Sequence, residues 1–368
     1  MRLSRLRSKH WSLWMISLWL CQSLIQGCAI SYPPVSSLEE ALAKEELQFK
    51  ALKVRYDRSR WVLDVGWKLL WRLPEELQSM EVWEFGLYTT EIGDEWRRMF
   101  ELEDTEAGLL VLHPIANSPA ERAGVRAGDI LMSINGDPIT SKVDLEWFFN
   151  NGISSDKECD VVIKRKNKEV LFKIQPVRLP THATFAISPE GTVIAGTDGK
   201  RFVASYGILN LIRDDDELAI ILGHELAHVL RNHNVKELSG MTMGSALPPV
   251  VSRLIGLGPI LGPFVSAIFG AFAGAFRAGF SRDLEREADY IGLYIAHSAG
   301  YDVGKAPDFW ERVAIENPES LVADYWATHP SASERLVRIK KTVKLIREGV
   351  PLTIDTPAEV ENLLESGS

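Results

Sequence analysis

Two histidines, His224 and His228, stand four residues apart in this chain, and Glu225 directly follows the first of them. On a helix, this spacing places both imidazoles on one face, where they can bind a single zinc ion. Glu225 can then take a proton from a metal-bound water. Two helical histidines that only pack in a core are the alternative. A third metal ligand would discriminate between the two interpretations.

The segment that carries the two histidines has the pattern of a buried helix. An apolar run extends from Leu218 to Leu230, and acidic residues precede it. Asp214 and Glu217 have the spacing of a capping box, in which two side chains bond to backbone N–H groups at the start of a helix. The sequence therefore predicts that a helix presents both histidines.

Candidates for the third ligand lie downstream, in a segment whose apolar residues are spaced for a helix. Glu285 and Asp289 are four residues apart, so one can bind the metal while the other accepts a hydrogen bond from a ligating imidazole. The metzincin motif would need glycine at 231 and histidine at 234, where this chain has Arg231 and Asn234. That class is excluded. His233 is expected on the surface, because it lies on a different helix face from the paired histidines.

Three segments together resemble metallopeptidase family M48, which includes HtpX, the CAAX prenyl proteases and the periplasmic BepA-type proteases. The first is H-E-L-A-H at 224–228, and the second is S-R-D-L-E-R-E-A-D at 281–289. The third is T-H-P at 328–330, which Arg335 follows. The resemblance covers residues 180–345 and implies a mostly α-helical gluzincin metallopeptidase domain with a small edge-strand sheet.

This resemblance also implies one zinc ion per chain and a role for each residue of the site. The implied residues are His224, His228 and Glu285 as ligands, Asp289 as the support of a ligating histidine, and Glu225, His329 and Arg335 in catalysis or in holding the site. Family members carry N-A-F-A before the catalytic helix, and this chain has A-T-F-A at 183–186. A strand on the substrate side is expected at 193–204.

A second resemblance covers residues 105–178 and rests on the segment S-P-A-E-R-A-G-V-R-A-G-D-I-L-M-S-I-N-G at 118–136. This segment is similar to the bacterial type of PDZ domain, a small β-rich fold that adds an extended chain end to a sheet edge. A PDZ fold that only packs against its neighbour is the alternative. The resemblance implies a peptide-binding loop that consists of Gly108, Leu109, Leu110 and Val111.

The first 27 residues have the layout of an export signal, with four basic residues before an apolar stretch from Trp11 to Ile25. L-I-Q-G-C at 24–28 resembles a bacterial lipobox, which implies that Cys28 is lipidated. An uncleaved signal anchor is the alternative. Either anchor would tether the protein to a membrane of the bacterial cell envelope, with the catalytic domain in the periplasm or another extracytoplasmic space.

Composition and charge narrow the classes of partner. The net charge is −9, and it would be −13 without the four basic residues of the first 27. The protein therefore lacks the positive charge that binding to nucleic acid requires. Three cysteines exclude a disulfide framework. A charge-free run at 254–276 is long enough to span a bilayer, but glycines and prolines break its first half. We expect this run to form a helix or loop that covers the active-site cleft, and insertion into a bilayer is the alternative.

The sequence therefore predicts an α+β multidomain protein. Its expected parts are a signal peptide at 1–27, a helical tryptophan-rich region at 28–104, a PDZ domain at 105–178, a linker at 176–182, a zinc metallopeptidase domain at 180–345 and a tail at 346–368. The expected function is zinc-dependent cleavage of misfolded or envelope proteins that the PDZ domain selects. The alternatives are a latent protease that acts as a PDZ-based chaperone or scaffold, and an integral-membrane protease.

Overall fold

A computed structural model describes both predicted domains. The described residues are 33–78, 82–103, 108–153, 157–180, 184–189, 191, 195–197, 201–233, 282–316 and 332–354. The chain divides into two compact units, Met1–Ala51 and Leu52–Ser368. Cys28, His329 and the run at 254–276 lie outside the described residues.

A helix of 35 residues, α1 (Ser37–Trp71), opens the described part of the chain. Its residues after Leu52 contribute to the core of the peptidase region, because Val62 and Leu69 are buried there together with the peptidase helices. The region at 28–104 is not helical throughout. After α1 come two strands, β1 (Val82–Glu84) and β2 (Leu87–Glu91), and then helix α2 (Asp94–Phe100).

The PDZ region is an antiparallel sheet with a second, smaller hydrophobic core. Its strand order is β2-β3-β4-β6-β7, and a short strand, β5, pairs with β4. The elements after α2 are β3 (Leu109–Pro114), α3 (Pro119–Ala123), β4 (Ile130–Ile134), β5 (Asp137–Pro138), α4 (Lys142–Trp147), β6 (Cys159–Arg165) and β7 (Lys168–Ile174). Lys166 and Asn167 adopt positive φ in the turn between β6 and β7, as a tight hairpin requires.

The prediction that Gly108, Leu109, Leu110 and Val111 bind a peptide is wrong as far as the sheet edge is concerned. Strand β3 lies inside the sheet, with β2 on one side and β4 on the other. Val111 donates its N–H to the carbonyl of Asp129 and accepts from the N–H of Gly128. Because these backbone groups are already paired, a peptide cannot add to β3. Within the described chain, the outer strand on this side is β2.

The predicted linker at 176–182 is described up to residue 180. It contains strand β8 (Val177–Leu179), which pairs with β1 in a two-stranded antiparallel sheet. Helix α1 also bonds to the end of β3. The Tyr56 hydroxyl donates to the carbonyl of Leu112 over 2.7 Å, and Asp64 accepts from the N–H of Ala116 over 2.7 Å. Helix α1, which packs in the core of the peptidase region, is therefore also bonded to the PDZ region.

In its described residues, the peptidase region combines a three-stranded sheet with five α-helices. The sheet has the order β10-β11-β9, in which β9 runs parallel and β10 antiparallel to β11. The single strand predicted at 193–204 is thus two strands. The elements are β9 (Thr184–Ser188), β10 (Ala195–Thr197), β11 (Arg201–Ser205), α5 (Tyr206–Leu211), α6 (Asp215–Leu230), α7 (Arg282–Ser298), α8 (Ala306–Glu316) and α9 (Ala332–Arg347). The α+β fold class is as predicted.

Candidate metal centre

Helix α6 begins as the sequence predicts. Asp214 is its N-cap, and the Asp214 carboxylate accepts from the N–H of Glu217 over 3.1 Å. Glu217 accepts from the N–H of Arg213 over 2.8 Å and pairs with Arg312, so only half of the predicted capping box forms. Acidic side chains in the first turn also interact favourably with the helix dipole. The helix is therefore well anchored at its start, and its residues from Glu217 to His228 are buried.

A close crossing of α6 and α7 brings the two motifs together. The helices meet at Gly223 and Gly292, where no side chain separates their backbones. A Cβ atom on Gly223 would lie 2.4 Å from the carbonyl oxygen of Gly292, and one on Gly292 would lie 2.6 Å from the backbone nitrogen of His224. Both distances are far below van der Waals contact. Glycine at these two positions allows α7 to approach the histidines closely.

Three side chains from the two helices point their ligand atoms at one spot. The Nε2 atoms of His224 and His228 are 3.2 Å apart, and they lie 3.5 and 3.3 Å from the two carboxylate oxygens of Glu285. All three residues are buried. A tetrahedral zinc ion with bonds of about 2.0–2.1 Å holds its ligand atoms about 3.3 Å apart. The spacing of this ligand triangle, His224, His228 and Glu285, therefore fits a zinc ion.

The other nitrogen of His224 meets a supporting carboxylate. Asp289, one helical turn beyond Glu285 on α7, places its Oδ1 2.9 Å from His224 Nδ1. Arg335 on α9 donates to the same oxygen over 2.6 Å. The guanidinium of Arg335 also stacks 3.5 Å from the ring centroid of Trp310 on α8. Four helices thus contribute to holding the first ligand in its orientation.

His233 is buried, contrary to the prediction that it lies on the surface. Its Nδ1 is 2.9 Å from Nδ1 of His228, and its Nε2 is 3.3 Å from Oε2 of Glu287. Arg231 donates to the other oxygen of Glu287 over 2.6 Å. The physical reason is that α6 ends at Leu230 and that Asn232 takes a left-handed conformation with φ of 53°. The chain turns back there, so the helical spacing assumed in the prediction does not apply.

The charges around the ligand triangle shift its pKa values in opposite directions. Burial and the Arg335 charge lower the pKa of His224, but hydrogen bonds to Asp289 and Glu285 outweigh them and raise it to about 9. Burial lowers the pKa of His228 to about 4. Burial raises the pKa of Asp289, whereas the Arg335 charge and the His224 hydrogen bond bring it below its ordinary value. Asp289 is therefore an ionised acceptor at neutral pH.

The structure brings together most of the predicted site residues and leaves two undescribed. Glu225 is buried on α6 between the two histidines, and Arg335 lies against Asp289. His329 and Cys28 are outside the described residues. Among the helices that the structure describes, none is long and apolar enough to cross a membrane.

Sequence reasoning missed four residues of this centre. His233 and Trp310 contact the two ligand histidines directly, whereas Glu287 contacts His233 and Arg231 contacts Glu287. Arg231, His233 and Glu287 lie beside the recognised motifs, and the assumption of continued helical spacing placed His233 on the surface. Trp310 gave no such signal, because it lies on a separate helix.

Two models of known protein families match parts of this chain. Residues 193–343 match the model of Peptidase family M48, and residues 99–175 match that of a PDZ domain. The first match encloses the ligand triangle together with all the side chains that support it.

Several curated proteins are similar to parts of this chain. The chain is 28% identical over 221 residues to mitochondrial metalloendopeptidase OMA1 of Arabidopsis thaliana, which covers 58% of this chain and 41% of that protein. It is 30% identical over 174 residues to OMA1 of Schizosaccharomyces pombe, with 47% of each chain covered. Serine protease HTRA1B of Danio rerio is 31% identical over 80 residues, which cover 22% of this chain and 16% of that protein. The chain thus spans less than half the length of these relatives.

The solved structures that are similar to part of this chain include a PDZ domain. The HtrA3 PDZ domain bound to a phage-derived ligand is 23% identical in sequence, with a TM-score of 0.22. The aligned part covers 27% of this chain and 86% of that domain.

Proposed function

We propose that this chain, which contains a domain of peptidase family M48 and a PDZ domain, is a zinc-dependent metalloendopeptidase. The ligand triangle carries the proposal, because its three ligand atoms have the spacing of a zinc site and a buried glutamate stands between the two histidines. Three protein ligands leave one position of a tetrahedral ion open, as catalysis requires. A structural zinc site would close that position with a fourth side chain.

The mechanism uses the chain's own residues for proton transfer and positioning. Zinc, when bound, supplies the Lewis acidity that polarises a peptide carbonyl and makes water more acidic. Glu225 accepts the proton of the attacking water and then delivers it to the amide nitrogen of the leaving chain. Asp289 accepts a hydrogen bond from His224 Nδ1 and so keeps the Nε2 lone pair directed at the ligand triangle. Arg335 holds Asp289 in place.

A substrate would bind in extended form beside the catalytic helix. Strand β10 packs against α6 and pairs with β11 on one side, while its other side is a sheet edge in the described part of the chain. A peptide that adds to this edge would place its carbonyl groups along α6. Protein and peptide substrates are therefore the class that the site suits.

Glu285→Ala is expected to remove zinc from the protein. The substitution leaves two imidazoles, and no other buried carboxylate of the described chain completes their triangle. Elemental analysis after dialysis should give one zinc per wild-type chain and a value near zero for the variant. Asp283→Ala is the control, because Asp283 lies on the same helix with its side chain exposed. Equal zinc content in wild type and Glu285→Ala would mean that Glu285 is not a ligand.

We also propose that the PDZ domain selects substrates at the edge of β2. Helix α4 packs beside β2 and exposes Val143 and Trp147 one turn apart, with 58% and 59% of their surfaces accessible. A captured chain end could pair with β2 and place apolar side chains on these two residues. Capture at this site would raise the local concentration of a long substrate near the catalytic helix.

Trp147→Ala is expected to raise the KM for an unfolded protein substrate about tenfold, as the loss of an aromatic binding anchor does. The KM for a short peptide should stay unchanged, because a short peptide cannot reach both sites. Leu171→Ala is the matched control, since Leu171 is 56% exposed on β7 at the opposite edge of the sheet. A similar change for both substrates would assign Trp147 a structural role.

We propose further that Cys28 is lipidated and tethers the protein to a bacterial membrane, with the catalytic domain on the extracytoplasmic side. The lipobox-like segment at 24–28 supports this proposal. Cys28→Ser should abolish labelling by a radioactive fatty acid and release the protein from the membrane fraction. A wild-type protein that takes up no label would instead indicate an uncleaved signal anchor.

A further inference from the structure

We propose that His233 and Glu287 form a relay that fixes the ring tautomer of His228 and so sets the metal affinity of the site. The relay rests on the proposed function, because it assumes that His228 binds zinc through Nε2. Neither residue belongs to the ligand triangle. Both are positioning residues that act through His228.

The first step concerns the two histidines. Nδ1 of His228 and Nδ1 of His233 are 2.9 Å apart, so one ring must donate a hydrogen bond and the other must accept it. Nε2 of His228 belongs to the ligand triangle and needs its lone pair for the metal. The His228 proton must therefore sit on Nδ1, which donates to Nδ1 of His233.

The second step concerns Glu287. With Nδ1 as the acceptor, His233 must carry its own proton on Nε2, which lies 3.3 Å from Oε2 of Glu287. An ionised carboxylate can only accept, so Glu287 favours this tautomer of His233. Arg231 donates to the other Glu287 oxygen over 2.6 Å and stabilises its charge. The contact between His233 Nε2 and Oε2 of Glu287 is an ion-pair contact and not a hydrogen bond, so Glu287 acts on the His233 tautomer through its negative charge.

The two histidine ligands are thus oriented in different ways. His224 meets the carboxylate of Asp289 directly. Nδ1 of His228 instead meets a second imidazole, that of His233, which is fully buried and so has no access to bulk water. The left-handed turn at Asn232 places that imidazole beneath His228. A change in the tautomer of His233 would therefore move the proton of His228 to Nε2, the nitrogen that binds the metal.

This relay makes a prediction that packing alone would not. In Glu287→Gln, Arg231 would still donate to the side-chain oxygen, so the amide NH₂ would face His233 Nε2. His233 would then accept at Nε2 and carry its proton on Nδ1, which forces His228 to protonate the nitrogen that binds the metal. In Glu287→Ala, water could enter the space and accept from His233. The isosteric variant should therefore bind zinc more weakly than the truncated one.

The experiment measures zinc affinity of the full chain by competition with a chelator, together with the thermal midpoint of the metal-free protein. We expect Glu287→Gln and His233→Leu to weaken zinc binding by about 10–100-fold. We expect His233→Asn to stay near wild type, because its amide oxygen can accept from His228. Asp283→Asn on the same helix is the control and should not change the affinity.

Nitrogen NMR of the histidine rings, of which the chain has only 8, gives a second readout. The zinc-loaded wild type should carry the His233 proton on Nε2, and Glu287→Gln should move it to Nδ1. Zinc affinity of Glu287→Gln equal to or above that of Glu287→Ala would overturn the relay while leaving the proposed zinc site intact. A wild-type protein that binds no zinc would overturn both.

Discussion

Replacing Glu225 by glutamine is expected to abolish peptide hydrolysis and to leave the zinc in place. A glutamine amide has nearly the same shape as the glutamate side chain, but it cannot accept a proton from water at neutral pH. General bases of this kind contribute about 10²–10⁴-fold to a rate, so the turnover number should fall by at least that factor. Zinc content should stay at the wild-type value, because Glu225 is not part of the ligand triangle.

The measurement is hydrolysis of a quenched fluorescent peptide, with zinc content determined on the same sample. Glu311→Gln is the matched control, since it makes the same chemical change at an exposed position beside Trp310. The control excludes a contaminating protease, which would act equally in every preparation. Turnover of Glu225→Gln within a few-fold of wild type would remove Glu225 from the mechanism, and loss of zinc would place it among the ligands.

Replacing Arg335 by leucine is expected to give the largest loss of stability of any change proposed for this site. Arg335 and Asp289 form a buried ion pair, in which the two side chains are 11% and 6% exposed. Removal of one partner leaves the other charge buried without compensation, which costs about 3–5 kcal/mol in the free energy of unfolding. The lower end applies here, because His224 remains a partner of Asp289.

Chemical denaturation of the metal-free protein tests this expectation. Arg338→Leu on the same helix is the control. Arg338 pairs with Glu334 over 3.1 Å at the surface, where such pairs contribute at most about 1 kcal/mol. Arg335→Lys should restore part of the loss, because lysine keeps the charge but cannot stack on Trp310 as a planar group does. Equal effects of the two leucine variants would show that burial of the Arg335 pair is energetically unimportant.

Local sequence patterns predicted part of the ligand triangle. The spacing of His224 and His228 places both on one face of any helix, and acidic residues at its start favour that helix. Glu285 and Asp289 likewise share a face of their own helix. Resemblance to a family then indicated which carboxylate binds the metal. The crossing at Gly223 and Gly292, which makes the two helices meet, is a contact between distant segments and had no local signal.

The PDZ region shows the opposite case. Its hairpin strands β6 and β7 were predictable, because apolar alternation and turn residues are local. The strand order was not, because hydrogen bonds between β2 and β3 join residues that no periodicity relates. Most of the predicted peptide-binding loop, Gly108 to Val111, is therefore part of an inner strand.

The sequence by itself determined the chemistry of this protein, and the tertiary structure decided how that chemistry is held. Residue types and helical spacing specify two imidazoles, a general base and a carboxylate. Each of these groups is placed by the spacing of residues within one or two turns of a single helix. The side chains that support the site depend on where helices end and where they cross. One left-handed residue, Asn232, turns His233 back beneath His228, and helix packing brings Arg335 and Trp310 to Asp289 and His224. Such contacts arise from packing between distant segments, which sequence periodicity does not encode.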